Sequence, residues 1–194
     1  KGAKGIVTGK HGGIEHVLID FDDDALDKLA IEDKILVRSC GQGLKLLDYP
    51  NIKVFNLDPD LLDLMALEES GGRLRVKVAA RVPAVLMGSG IGSSDVASGD
   101  YDITTTDREE IARLGIDQLK FGDIVALDDC DNLYGRSFSR GAISIGVVVH
   151  SDCLIAGHGP GVATIMTAAS AAIEPVLDGG ANIGRYLGIG RYRP

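Results

Sequence analysis

The chain has 194 residues, 45% hydrophobic and 25% charged, a globular composition large enough for one sizeable domain or two small ones sharing a core. Its net charge of −8 excludes a broad nucleic-acid-binding face, because phosphate neutralisation needs clustered Lys and Arg and only Arg185, Arg191 and Arg193 gather locally. No apolar run approaches the ~20 residues of a membrane helix, and Cys40, Cys130 and Cys153 form no Cys-x-x-Cys pair, so a cytoplasmic protein with neither a membrane partner nor a thiolate zinc site is expected.

The opening residues Lys1–Gly9 read as the middle of a pattern, with strand-like Ile6 and Val7 given little lead-in. This predicts a missing N-terminal segment of the same protein, able to act as a partner to the part seen. Strands are predicted over Ile14–Phe21, Lys34–Ser39, Leu74–Ala80, Ile124–Leu127 and Ala142–His150, all rich in Val and Ile and bounded by turn-forming residues. Val162–Thr167 fits a helix or a strand, and its β-branched content favours the strand. Short helices are predicted over Asp24–Leu29, Asp58–Leu67 and Asp107–Leu114. Asp58-Pro59 offers an N-cap followed by proline in the first turn, and Asp107 with Glu110 resembles a capping box that Gly115 closes at the far end.

The expected fold is therefore mostly β and barrel-like, with a few short helices. Leu29–Val37 lines up with Leu119–Leu127, each a short helical stretch, a polar turn and a buried strand. The alignment suggests two related β-rich halves, residues 1–70 and 71–194, the second carrying the site.

The chain has 26 glycines, about twice the usual share of ~7%, and only four histidines. The histidines fall in two pairs, His11 with His16 and His150 with His158. Imidazole transfers protons near neutral pH and ligates metals, and the glycines beside His11 and His158 let backbone turn sharply and a ligand come close. His150 ends a strongly β run, with Asp152 two residues on to orient it or to share an ion. His150, Asp152, His158 and His11 are thus the expected catalytic residues. His150, Asp152 and His158 are the expected ligands of a divalent metal, the cofactor these residue types fit. Gly88-Ser89-Gly90-Ile-Gly92-Ser93 could cradle an anionic group on free amides, with His16 nearby as a further ligand-binding residue. Asp95, Asp100 and Asp102 read as an acidic surface loop, and Asp128–Asn132 as a solvated turn. Cys153, three residues from His150, reads as a buried structural thiol.

Gly9–His16, Met87–Gly92, Gly99–Ile103 and Gly141–Gly161 together resemble a prokaryotic family known as Domain of Unknown Function 4438, specifically the C-terminal two-thirds of its members. The resemblance implies a β-rich, barrel-like, cytoplasmic protein and transfers no catalytic residue. The residues themselves point to a hydrolase-like enzyme acting on a small molecule through His and Asp on glycine-rich turns, with a metal as an optional aid. The alternative reading is a non-catalytic ligand-binding or assembly subunit. A homo-oligomer is expected in either case, because sheet edges must be covered.

Overall fold

The run Ile124–Leu127 at the start of Ile124–Asp131 is apolar and buried at every position, the pattern of a strand buried on both faces, and it organises the molecule. In the computed structural model, which describes residues 2–12, 16–88, 95–152 and 158–194, the chain is mostly β with four short α-helices. In chain order the elements are β1 (Ile6–His11), β2 (His16–Asp20), α1 (Asp23–Leu26), β3 (Lys53–Val54), α2 (Pro59–Leu64), β4 (Glu68–Ser70), β5 (Arg73–Val78) and β6 (Ala80–Pro83). There follow β7 (Tyr101–Asp102), α3 (Arg108–Arg113), β8 (Ile124–Asp131), β9 (Ser137–His150), β10 (Gly161–Ala168), β11 (Ile173–Leu177) and α4 (Ile183–Leu187).

The central sheet runs β3-β10-β9-β8-β6, with β7 also paired to β10. Neighbours are antiparallel except β6 and β8, which are parallel. A three-stranded sheet, β11-β5-β4, and the hairpin β1–β2 complete the β structure. Among the described residues these sheets remain open, so the barrel expectation is corrected: β6 and β3 end the central sheet without meeting.

Strand alternation splits the core in two. Ile124, Ala126, Ile145 and Val147 face β5 and β11, packing on Val76, Val78 and Ile173. Val125, Leu127 and Val148 face the other way, onto Val82, Tyr101, Ile103 and Ile111. The predicted caps are present. The Asp58 carboxylate accepts from the Asp60 N–H, that of Asp107 accepts from the Glu110 N–H, and Gly115 takes a left-handed φ of 70°.

One predicted strand does not form. Lys34–Ser39 has no sheet partner, and Leu36 is 98% exposed, whereas its counterpart in the proposed repeat, Ala126 of β8, is fully buried. A strand needs a ladder to satisfy its backbone and a neighbour to bury its side chains, and this segment has neither.

Candidate active site

Register builds the site. In the central sheet Gly161 of β10 stands opposite His150 of β9 on one side and Asp102 of β7 on the other. Two side chains thus flank a position that has none, and they meet over it. His150 Nε2 lies 3.0 Å from Asp102 Oδ1 and 2.9 Å from Asp100 Oδ2. The second oxygen of Asp102 lies 3.0 Å from His158 Nδ1. Asp102 therefore joins His150 and His158, one through each oxygen.

The hairpin brings the third histidine. The His11 and His150 rings have centroids 4.8 Å apart, and the Gly12 N–H donates to Asp100 Oδ1 at 2.6 Å. Lys10 Nζ donates to the Ala97 carbonyl at 3.1 Å, anchoring the same strand beside the segment that leads to Asp100. Arg193 holds the other strand through Asp20 and the Phe21 carbonyl.

Two glycines are required here by space rather than by φ. A Cβ at Gly161 would intrude on both His150 Nε2 and Asp100 Oδ2, and one at Gly159 would strike the Ile103 carbonyl. Neither has a positive φ, so these glycines serve close approach rather than an unusual backbone conformation.

The electrostatics follow from the geometry. Asp100 and then Asp102, beside Nε2, raise the His150 pKa to about 10 against an opposing desolvation. Burial works against ionisation of Asp100, yet His150, the Gly12 N–H and the charge of His11 outweigh it and hold the carboxyl below its usual range. His150 Nδ1 lies 2.9 Å from the Ser151 carbonyl. A carbonyl oxygen only accepts, so Nδ1 carries the hydrogen and directs Nε2 at the carboxylates.

The other predicted residues are placed as follows. The His16 ring centroid lies 6.2 Å from that of His11, to which it is paired across the hairpin. Asp152, expected as the partner of His150, accepts from Thr105 Oγ1 at 2.8 Å and pairs with Arg108 at 3.0 Å. It lines a cavity of about 250 Å³ with Thr105, Arg108, Val148 and Ser151. The carboxylates at the histidines are Asp100 and Asp102, which sequence reasoning had set aside as a surface loop. The signal for them was period two: Asp100-Tyr101-Asp102 alternates around a buried tyrosine, as a strand end would. Gly88 donates its N–H to the Asp102 carbonyl at 2.7 Å and accepts from Arg136 at 2.8 Å. Ser89, Gly90, Gly92, Ser93 and Cys153 lie outside the described residues. No helix among the described residues is long and apolar enough to cross a membrane.

Comparison with known proteins places the chain among relatives. The family model described as Domain of unknown function (DUF4438), N-terminal, matches residues 1–63, and its C-terminal counterpart matches residues 64–187. The match takes in both family domains and so is broader than the expected C-terminal part. The crystal structure of TM1086 is similar at 53% identity and a TM-score of 0.89, over 96% of this chain and 65% of that one. The chain thus spans just under two-thirds of that relative's length. No curated protein matches it.

Proposed function

The chain belongs to the DUF4438 family, and from its site we propose a hydrolase-like enzyme that acts on a small molecule with water as the nucleophile. The observation that carries this reading is the double use of Asp102, whose two oxygens hold His150 and His158 at 3.0 Å each. A carboxylate only accepts, so His158 Nδ1 is the donor in that pair and its Nε2 is left as a proton acceptor. His158 is half-exposed while Asp100 and Asp102 are buried. A base oriented by a buried carboxylate and open to solvent on its far side is suited to deprotonating water. When the leaving group departs, the same imidazolium can return that proton. His150, fixed between Asp100 and Asp102 and tied to the Ser151 carbonyl, positions the centre.

The test is hydrolysis of a panel of small esters and amides by wild type and by Asp102→Asn and His158→Ala. Each substitution is expected to lower kcat by about 10²–10⁴-fold, the range for a general base, with the circular dichroism spectrum unchanged. Turnover that survives both substitutions, or no turnover across the panel, counts against the reading.

A further inference from the structure

The same centre contains more unsatisfied donor atoms than acid–base chemistry accounts for. His11 Nδ1, Asp100 Oδ2 and His150 Nε2 are all buried and without an aligned hydrogen bond, although they crowd together. The three residues come from separate places in the chain, and one ligand atom from each lies within 4.8 Å of the others. The Asp100 side chain is only 5% exposed, so Oδ2 is left with His150 Nε2 as its neighbour, 2.9 Å away but not aligned. Buried polar atoms are nearly always paired; Asp100 Oδ2 and His150 Nε2 stand 2.9 Å apart without an aligned hydrogen bond and His11 Nδ1 has none, so a common partner would serve all three.

Each donor is already prepared for such a partner. The Nδ1 hydrogen of His150 is engaged by the Ser151 carbonyl, which leaves a lone pair on Nε2 in the neutral ring. Asp100 Oδ1 is occupied by the Gly12 N–H, which leaves Oδ2 to face inward. With Nε2 deprotonated in that tautomer, its lone pair faces the carboxylate oxygens of Asp100 and Asp102 at 2.9 and 3.0 Å, acceptors that either a proton on Nε2 or a bound cation must separate. A proton on Nε2 supplies charge but no aligned hydrogen bond to either oxygen. An ion does better. With bonds of about 2.1 Å, ligand atoms at right angles stand about 3.0 Å apart and those at tetrahedral angles about 3.4 Å. The His150–Asp100 edge of 2.9 Å already meets this, and a ligand atom of His11 lies within 4.8 Å of the other two residues' ligand atoms.

We propose that His11 Nδ1, Asp100 Oδ2 and His150 Nε2 bind one divalent first-row transition-metal ion, with the Asp102 charge alongside. Two imidazoles and one carboxylate suit zinc, iron, cobalt or manganese, whereas magnesium and calcium prefer oxygen ligands throughout. Three protein ligands also leave coordination positions open for water or substrate. This deepens the hydrolytic reading of the site, since an ion there would lower the pKa of a bound water for His158 to accept its proton. It also has a structural consequence. His11 belongs to the stretch matched by the N-terminal family model, Asp100 and His150 to that matched by the C-terminal one. The ion would therefore fasten the β1–β2 hairpin, marginal as an isolated two-stranded ribbon, to the central sheet.

The test uses the whole chain, stripped with chelator and titrated calorimetrically with Zn²⁺, Co²⁺ and Mg²⁺ in turn. The expected result is one Zn²⁺ or Co²⁺ per chain, with Mg²⁺ at least 100-fold weaker. His11→Ala, Asp100→Asn and His150→Ala should each weaken Zn²⁺ at least 10-fold, and His16→Ala should change it less than twofold. Zn²⁺ should also slow tryptic cleavage after Lys10 in wild type but not in His11→Ala, which reports the hairpin independently of activity. Circular dichroism confirms that each variant is folded. No binding by folded wild type, or undiminished one-to-one binding by His11→Ala and Asp100→Asn, overturns the proposal. The two readings fail separately: ion binding with no hydrolysis anywhere in the panel refutes the enzyme alone, and hydrolysis by folded wild type that binds no ion refutes the ion alone.

Discussion

Gly161→Ala perturbs the centre by a single methyl group, and its effect can be worked from the geometry. The new Cβ would fall well inside contact distance of both His150 Nε2 and Asp100 Oδ2. Apolar carbon settles against its neighbours at about 3.5 Å, so each of these atoms must recede by at least about 1 Å. Both are the ends of side chains, so the sheet itself can survive, and the expected cost is that of modest overpacking, about 1–3 kcal/mol. A displacement of that size is enough to cost about 10²-fold in a reaction that depends on placement. Gly159→Ala is the contrasting change, because its Cβ would strike the Ile103 backbone carbonyl, which cannot rotate aside. Urea denaturation, with the hydrolysis and zinc assays run in parallel, should show Gly161→Ala folded but functionally crippled and Gly159→Ala more strongly destabilised. Full activity and full zinc affinity in Gly161→Ala would refute the placement of His150 and Asp100 over this glycine. Equal stability losses in the two variants would refute the distinction between side chain and backbone.

Asn182 is buried, donates to Asp123 and to the Phe121 carbonyl, and caps α4 by accepting from the Gly184 N–H, so Asn182→Ala should cost about 2–4 kcal/mol by urea denaturation. Burial pushes the Cys130 thiol up to about 11, whereas Cys40 is exposed. Iodoacetamide at pH 8, followed by peptide mapping, should therefore modify Cys130 only after unfolding. Because the folded thiol holds its proton above the ordinary 9.0, the unfolded state ionises first, and stability should fall as pH rises from 9 towards 11. Cys130→Ala should flatten that slope, and an unchanged slope would assign the alkaline loss to other groups.

Local chemistry was legible without coordinates wherever a few neighbouring residues settle the outcome. The Asp58 and Asp107 caps, the left-handed Gly115 and the β character of Val162–Thr167 follow from side-chain reach, steric freedom and branching, all properties of short stretches. The same local grammar misread Lys34–Ser39, since Ile35-Leu36-Val37 is as β-prone as any strand but acquires no ladder among the described residues.

The residue types of the site, histidine beside glycine, could likewise be singled out in the chain, but not their grouping. His11, Asp100 and His150 are far apart in sequence and meet because the β7–β10–β9 register sets Asp102, Gly161 and His150 in one row and the hairpin lays His11 against it. Asp152, two residues from His150, lies past the end of β9 at His150, where strand period two no longer places it beside His150, and it turns to Thr105 and Arg108. By itself the sequence determined which side chains could do chemistry and how each short segment bends. Only the tertiary structure decided which carboxylates stand beside the histidines, because strand register is set by the packing of two hydrophobic faces and a one-residue slip would move every donor to the opposite side.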